Sequence, residues 1–316
     1  MARILVTESM SDLGPQWLRE HGYEVRYGRG IDPETLVEDL QGCEGVITRL
    51  ALFTEDVISR AKDLKVIARH GAGVDSIDVD CCRERGIVVT RNVGTNSRAV
   101  AEHAVTMMLM CAKNAEYRDR LYKNGEFDKG RKAKAYDLDG STLGLIGMGH
   151  IGSIVAHICA CGLDMKVLVY DPYAKPESLP EGAELVSDRD RVFREADYLT
   201  VHMPLTPETK KSIGAREFEI MKKSAFFINA ARGPIVDEAA LIQALKEGQI
   251  AGAGLDVTEK EPADPDNPLF FMDNVIMSPH VAGSTEGAKD KASMACAKAC
   301  AAVLEGREVP RPAVVV

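Results

Sequence analysis

The chain has no Cys-x-x-Cys pair among its eight cysteines, no basic block and no long apolar run. Each absence excludes something. Without paired cysteines or a Cys/His cluster, a zinc-type centre has no ligand set, and no metal is expected. Cys43, Cys81, Cys82, Cys111, Cys159, Cys161, Cys296 and Cys300 fall mostly inside apolar helical patterns, where a reduced cysteine acts as a small buried hydrophobe. Cys296 and Cys300 stand one helical turn apart, with no further ligands nearby. Lys and Arg number 39 against 48 Asp and Glu, a net charge of -9, and no basic stripe is interleaved with aromatics. Nucleic acid is therefore not an expected partner. No segment is long and apolar enough to span a bilayer, and residues 1–6, MARILV, run into a strand pattern without a secretory signal. The expectation is a soluble, cytoplasmic protein with no membrane partner. Low-complexity tracts and internal repeats are also missing.

What is present is a two-domain α/β pattern. A length of 316 residues exceeds one ordinary core and fits two. Short β-rich runs at 3–6, 46–48, 66–68 and 87–89 alternate with helical spacing, which predicts a small parallel α/β domain. From Ser97, a candidate N-cap, the spacing of Ala101, Ala104, Val105, Met108 and Leu109 predicts an amphipathic helix with a Met-rich core face. This helix carries the chain into a second block, with strands expected at 142–146, 166–170, 198–201, 225–229, 253–257 and 275–277. The final helical stretch, 285–304, returns to the first domain. The expected fold is α/β with two doubly wound parallel domains: a Rossmann nucleotide domain, 98–284, inserted into a discontinuous flavodoxin-like substrate domain, 1–97 and 285–316. Residues 128–139 and 258–267 are polar or Pro-rich and are expected as loops.

The first chemical motif is GMGHIG at 147–152. Alone it is weak, since 27 glycines in a chain of this length give about 0.2 chance matches. Context strengthens it. The motif follows the apolar run Leu143, Gly144, Leu145, Ile146 and opens a helix through Ile151, Ile154, Val155 and Ile158. In that setting Gly147 permits the tight turn, Gly149 lets the backbone approach a pyrophosphate, and Gly152 allows close helix packing. The helix N-terminus supplies N–H groups and a positive dipole end for phosphate. Asp171 ends the next strand, nineteen positions after Gly152, where a carboxylate accepts ribose hydroxyls and repels a 2'-phosphate. With no Arg in 172–175, the implied cofactor is NAD rather than NADP.

Three further stretches place charge at expected strand ends. In NAARGPIVDE, 229–238, Arg232 can bind a substrate carboxylate with its guanidinium fork and polarise the neighbouring carbonyl. LDVTEKEP, 255–262, carries Glu259 and Glu261, and SPHVAGST, 278–285, carries His280. Hydride chemistry needs a proton donor, and a carboxylate partner orients an imidazole and favours its charged form. Glu261 with His280 is a sensible acid-base pair, with Glu259 the competing acid.

The set GMGHIG, YDP, NAARGPIVDEAAL, GLDVTEKEP and SPHVAGST, in this order, resembles the D-isomer-specific 2-hydroxyacid dehydrogenases over essentially the whole chain. ARHGAGVD at 68–75 and the TEKEP form of the acidic segment are most similar to the 3-phosphoglycerate dehydrogenase branch. The resemblance implies an enzyme in which Arg232 binds the substrate carboxylate, Glu261 orients His280, and His280 gives or takes the proton. It also implies cofactor contacts at Gly147, Gly149, His150, Ile151, Gly152, Asp171, Met203, Ala230, Ala231, Arg232, Asp256, His280, Val281, Ala282 and Gly283. On the substrate side it implies Arg49, Arg69, Ala72, Gly73, Val74 and Arg232, with Arg49 or Arg69 available to a distal phosphate.

Departures from the family pattern bear on substrate rather than on the catalytic three. Met203 stands for a common Thr, Ala230 for a frequent Cys, Pro234 for a frequent Gly, and Thr258 for an aromatic. The chain runs only a short way past Leu304, so serine feedback through a C-terminal regulatory domain is not expected. The expected substrate is a small anionic 2-hydroxy or 2-keto acid, with D-3-phosphoglycerate and 3-phosphohydroxypyruvate first. Glyoxylate or hydroxypyruvate reduction and sulfonated or sugar acids are alternatives, for which Lys134 adds a further cation. From another class, a non-catalytic NAD-sensing corepressor is disfavoured by the lack of disordered extensions. A homodimer, or a dimer of dimers, is the expected assembly.

Overall fold

The computed structural model describes residues 1–309 and 313–316 of the chain. Two compact units are present: Met1–Asn96 with Ser284–Val316, and Ser97–Gly283.

The first unit alternates strand and helix. Its elements are β1 (Arg3–Val6), α1 (Leu13–Glu20), β2 (Glu24–Tyr27), α2 (Pro33–Asp39), β3 (Gly45–Thr48), α3 (Glu55–Arg60), β4 (Val66–Arg69), α4 (Val79–Glu84) and β5 (Val88–Arg91). All neighbouring strands are parallel, in the order β2-β1-β3-β4-β5. Alternation along each strand feeds two cores. Ile4, Val6, Ile47, Val66 and Ala68 pack against Leu18 of α1 and against Cys296, Ala297, Cys300 and Ala301 of the returning helix. Leu5, Val46, Ile67 and Val89 pack on the other face with Leu36, Val37, Val57 and Ile58. Thr90 of β5 bridges Val314 antiparallel, and Val89 N–H donates to the Val316 carbonyl at 3.0 Å.

The second unit opens with α5 (Ser97–Lys113), α6 (Ala115–Lys123) and α7 (Phe127–Lys132). There follow β6 (Thr142–Ile146), α8 (His150–His157), β7 (Lys166–Tyr170), β8 (Ala183–Leu185), α9 (Arg189–Glu195), β9 (Tyr198–Val201), α10 (Ala215–Ile220), β10 (Phe226–Asn229), α11 (Glu238–Lys246), β11 (Gly252–Leu255) and β12 (Val275–Met277). The seven parallel strands run in the order β12-β11-β10-β9-β6-β7-β8. This is the doubly wound order, which changes direction between β6 and β9 and so opens a crevice beyond their carboxyl ends. Ala101, Ala104, Val105, Met107 and Met108 of α5 are buried on one face of the sheet. Phe218 and Phe227 meet edge to face at 5.5 Å on the other, where each buried ring stabilises by roughly 1.5–3 kcal/mol. The last helix, α12 (Glu286–Leu304), belongs to the first unit and starts at Thr285, whose side chain accepts from Ala288 N–H at 3.3 Å.

Several local expectations change. Ser97 is the first residue of α5 rather than its cap, and α7 occupies part of the segment 128–139 expected as loop. The strand expected at 87–89 runs Val88–Arg91, and β2 and β8 are additional. Both additions are sheet-edge strands with little burial, so neither carries the apolar run of an interior parallel strand. Among the described residues no helix is long and apolar enough to cross a membrane.

Candidate active site

The glycine turn is built as tightly as its sequence requires. Gly147 adopts φ +96°, which L side chains rarely adopt, and a Cβ there would lie 2.8 Å from the His202 carbonyl carbon. A Cβ on Gly152 would sit 2.1 Å from the Gly147 carbonyl oxygen, so only glycine lets α8 start against the turn. Gly149 differs: a Cβ there would meet nothing within 4 Å. The turn therefore leaves open space above Gly149 at the N-terminus of α8, where His150 and Ile151 begin the helix. That cradle, with its free helix-end N–H groups, fits a dinucleotide pyrophosphate.

Asp171 locks this turn to the next strand. One carboxylate oxygen accepts from Met148 N–H at 2.7 Å and the other from Tyr173 N–H at 2.8 Å. Further lone pairs on both oxygens remain for hydroxyl donors. Behind the turn, His202 at the end of β9 shares a 3.0 Å hydrogen bond between Nε2 and Thr200 Oγ1, and burial pushes its imidazole down to about 4. Met203, which follows it, packs on the apolar cluster of that sheet face.

At the end of β10, Asn229 shapes the next loop. It is 1% exposed; its Oδ1 accepts from Ala231 N–H at 3.0 Å and its Nδ2 donates to the Arg232 carbonyl at 3.1 Å. Ala230 is buried, and Arg232 Nη1 donates to the Ala231 carbonyl at 2.8 Å. Gly233 is there because residue 258 leaves no room: a Cβ would fall 1.8 Å from the Thr258 carbonyl oxygen.

That contact seats the loop 258–261 beside Arg232. Glu261 Oε2 lies 2.8 Å from His280 Nδ1, and its Oε1 lies 3.4 Å from Thr258 N–H. Burial works to raise the Glu261 carboxyl. The hydrogen bond and charge of His280, the Thr258 N–H and the Arg232 charge outweigh it, holding the group below its usual range. Glu259, the competing acid, is engaged elsewhere, in an ion pair with Lys211 at 2.7 Å.

His280 adopts φ +52°, a left-handed conformation that costs a non-glycine residue about 1–3 kcal/mol. Asp256 holds it there. The Asp256 carbonyl accepts from His280 N–H at 2.8 Å, and the carboxylate accepts from Val281 N–H and Ala282 N–H, both at 2.9 Å, and from the Ser278 hydroxyl. Since the single Ser278 proton goes to Asp256, His103 Nε2 is the donor in its 2.9 Å bond to Ser278 Oγ. Asp256 is 1% exposed. Its carboxylate thus fixes the backbone of 278–282 on both sides of the histidine, ending at Gly283.

Apart from Arg232, which belongs to the second unit, the residues expected on the substrate side lie in the first unit. Arg49 follows β3, Arg69 ends β4, and Ala72, Gly73 and Val74 form the loop after it. Arg69 Nη1 donates to the His70 carbonyl at 2.9 Å, and Arg49 Nη2 donates to Ser284 Oγ at 2.8 Å. Glu8 organises the Arg49 loop by accepting from the N–H groups of Arg49 (2.9 Å), Leu50 and Ala51 (2.8 Å). Sequence reasoning assigned no role to Glu8, His103, Asn229 or Ser278. Each acts through hydrogen bonds, His103 from within α5 and the other three at or just beyond strand ends, a signal that motif spacing does not carry.

Fold and site together describe a dinucleotide-binding domain with an acid-base pair at its strand ends. The family described as D-isomer specific 2-hydroxyacid dehydrogenase, NAD binding domain, matches residues 105–282. D-3-phosphoglycerate dehydrogenase of Archaeoglobus fulgidus is 42% identical over 298 residues, covering 94% of this chain and 56% of that protein. The chain thus spans just over half the length of that relative. A putative 2-hydroxyacid dehydrogenase of Staphylococcus aureus is 36% identical over 98% of both chains. Among solved structures, the NAD-complexed D-isomer specific 2-hydroxyacid dehydrogenase of Lactobacillus delbrueckii ssp. bulgaricus superposes with a TM-score of 0.82 at 29% identity, covering all of both chains. This protein belongs to the D-isomer specific 2-hydroxyacid dehydrogenase family. Its second unit contains that family's NAD-binding domain.

Proposed function

We propose that the protein is an NAD-dependent oxidoreductase that interconverts an anionic D-2-hydroxy acid and its 2-keto acid, with D-3-phosphoglycerate and 3-phosphohydroxypyruvate as the first pair to test. The observation that carries this reading is the 2.8 Å pair of His280 and Glu261, with the Arg232 charge acting on the same carboxylate, inside an NAD-binding domain. Bound NAD supplies the hydride acceptor or donor. The cradle at Gly147, Gly149, His150, Ile151 and Gly152 would hold its pyrophosphate and Asp171 its ribose; Met203, Ala230, Ala231, Asp256 and Val281 to Gly283 would contact the remainder.

Glu261 accepts from Nδ1–H and so turns Nε2 outward as the atom that exchanges a proton with the substrate oxygen. Arg232 binds the substrate carboxylate through its guanidinium fork and favours charge on the adjacent oxygen. Residues 1–97 and 285–316 are assigned the substrate role, with Arg49, Arg69, Ala72, Gly73 and Val74 as its contacts, and 98–284 the nucleotide role. The reading extends to the cytoplasmic homodimer, or dimer of dimers, expected from the sequence; all eight cysteines are free thiols, as suits a reducing compartment. Light scattering that shows a monomer at micromolar concentration would remove the dimer.

The test is NADH oxidation with a panel of 2-keto acids, followed by Arg232→Ala and His280→Ala. Each variant is expected to lose at least ~100-fold in turnover. Undiminished turnover in either refutes the assigned roles.

A further inference from the structure

Ser278 stands two residues before His280, and a serine hydroxyl, with one proton and two acceptor lone pairs, turns to suit its neighbours. Two side chains of the second unit close on it. Asp256, just beyond β11, takes its proton, and His103 of α5 donates to its oxygen from Nε2 at 2.9 Å. The same Nε2 lies 3.5 Å from Asp256 Oδ1. Asp256 in turn carries the loop: the Ser278 hydroxyl and Val281 N–H share Oδ1, and Ala282 N–H takes Oδ2. Along α5, Val100, Ala101, Ala104, Val105, Met107 and Met108 are buried among apolar side chains of the sheet. His103 is set among them with its side chain 26% exposed. A polar ring in such surroundings costs free energy unless its N–H finds a partner, and Ser278 is that partner.

We propose that His103 is a positioning residue for the hydride-transfer centre, acting on His280 through Ser278 and Asp256. The proposal rests on the dehydrogenase reading above. By donating to Ser278 Oγ, the imidazole leaves the hydroxyl proton for Asp256. An oxygen that accepts and donates at once is polarised, which strengthens its bond to the carboxylate. Asp256 then holds main chain on both sides of His280, keeping it at φ +52° with Nδ1 2.8 Å from Glu261. The hydrogen bond made by His103 reaches neither His280 nor Glu261, so its influence runs through Ser278. Without the His103 N–H, Ser278 Oγ is released to rotate, and Oδ1 of Asp256 keeps only Val281 N–H.

The experiment uses His103→Leu and His103→Met, which delete the donor, and His103→Gln, which keeps an N–H donor at about the reach of Nε2. Ser278→Ala is made alone and combined with His103→Leu, and Thr106→Ala, exposed on the same helix, is the control. Turnover is measured with NADH and the keto acid that the wild type reduces fastest. The Leu and Met variants are expected to lose about 10-fold in kcat with the keto-acid KM within about 3-fold, and His103→Gln to recover to within about 3-fold of wild type. In the Ser278→Ala background, His103→Leu should cost less than about 2-fold more, because the route it acts through is already cut. Thr106→Ala should match wild type. A kcat within 2-fold of wild type in the Leu and Met variants, no recovery in His103→Gln, or losses that multiply in the double variant overturns the proposal and leaves the dehydrogenase reading standing. If the wild type binds NADH but reduces no keto acid, the reaction falls and NADH affinity decides for His103. Weakening of at least 3-fold in His103→Leu, restored in His103→Gln, then supports the network, and equal affinity in both overturns it.

Discussion

Replacing Asp256 with Asn tests whether the left-handed backbone at His280 is held by a carboxylate. The substitution keeps size and shape but exchanges an acceptor-only group for one with a donor end. In the native site the carboxylate receives Val281 N–H and Ala282 N–H on separate oxygens, each at 2.9 Å, and the Ser278 hydroxyl as well. Whichever way the amide turns, its NH2 faces at least one main-chain N–H, leaving two buried donors opposed at a group 1% exposed. A buried hydrogen-bonding group left unsatisfied costs about 1–3 kcal/mol, and the lost bonds to a charged acceptor raise the total to roughly 2–4 kcal/mol. Part of that cost is relieved if the chain lets His280 leave φ +52°, which misaims the imidazole relative to Glu261. The expected result is a drop of that size in unfolding free energy by urea titration, with kcat down at least ~10-fold, NADH affinity weakened and the pH profile of kcat shifted. An Asn variant with wild-type stability and kcat within 2-fold would show that the main-chain bonds alone hold the histidine.

Further expectations follow from single features. Gly152→Ala places a methyl group against the Gly147 carbonyl, so NADH affinity measured by fluorescence should fall at least ~10-fold, with thermal stability lowered as well. His202 is held neutral by burial, down to about 4. Because the unfolded chain binds its proton near pH 6.5 and the folded chain does not, stability conferred above pH 6.5 is lost as pH falls toward 4. The loss is about 2–3 kcal/mol, and His202→Gln should flatten that part of the curve in urea titrations at stepped pH. Asp171→Ser removes the acceptor that ties Met148 and Tyr173 together and the charge opposed to a 2'-phosphate. The ratio of NADH to NADPH affinity should fall at least ~10-fold, and an unchanged ratio would deny Asp171 that discrimination.

Interior strands could be placed from sequence because both faces of a parallel sheet are buried, so β1, β3, β6, β7, β9 and β10 announce themselves as apolar runs. Glu24–Tyr27 and Ala183–Leu185 do not, since an edge strand needs apolar side chains on at most one face. The short helix Phe127–Lys132, with four of its six residues charged, offers no periodic stripe to detect. At the site, the glycine spacing and the order of Asp171, Arg232, Glu261 and His280 could be picked out because each is a local motif. The choice between Glu259 and Glu261 could not be made from spacing, because it depends on where Lys211 lies, about 50 residues away. His103 is equally invisible, since the serine it supports lies 175 positions later.

The contact between Gly233 and the Thr258 carbonyl bears on how such a protein can be altered. The loop that carries Arg232 and the loop that carries Glu261 touch where not even a methyl group can enter. Neither can be lengthened, shifted or restyled without its neighbour yielding too. An engineer seeking a new substrate would therefore find this joint closed to variation, and libraries directed at positions 230–233 and 257–261 should return mostly inactive clones. Diversity is better sought at Leu50, where the chain is already open to solvent.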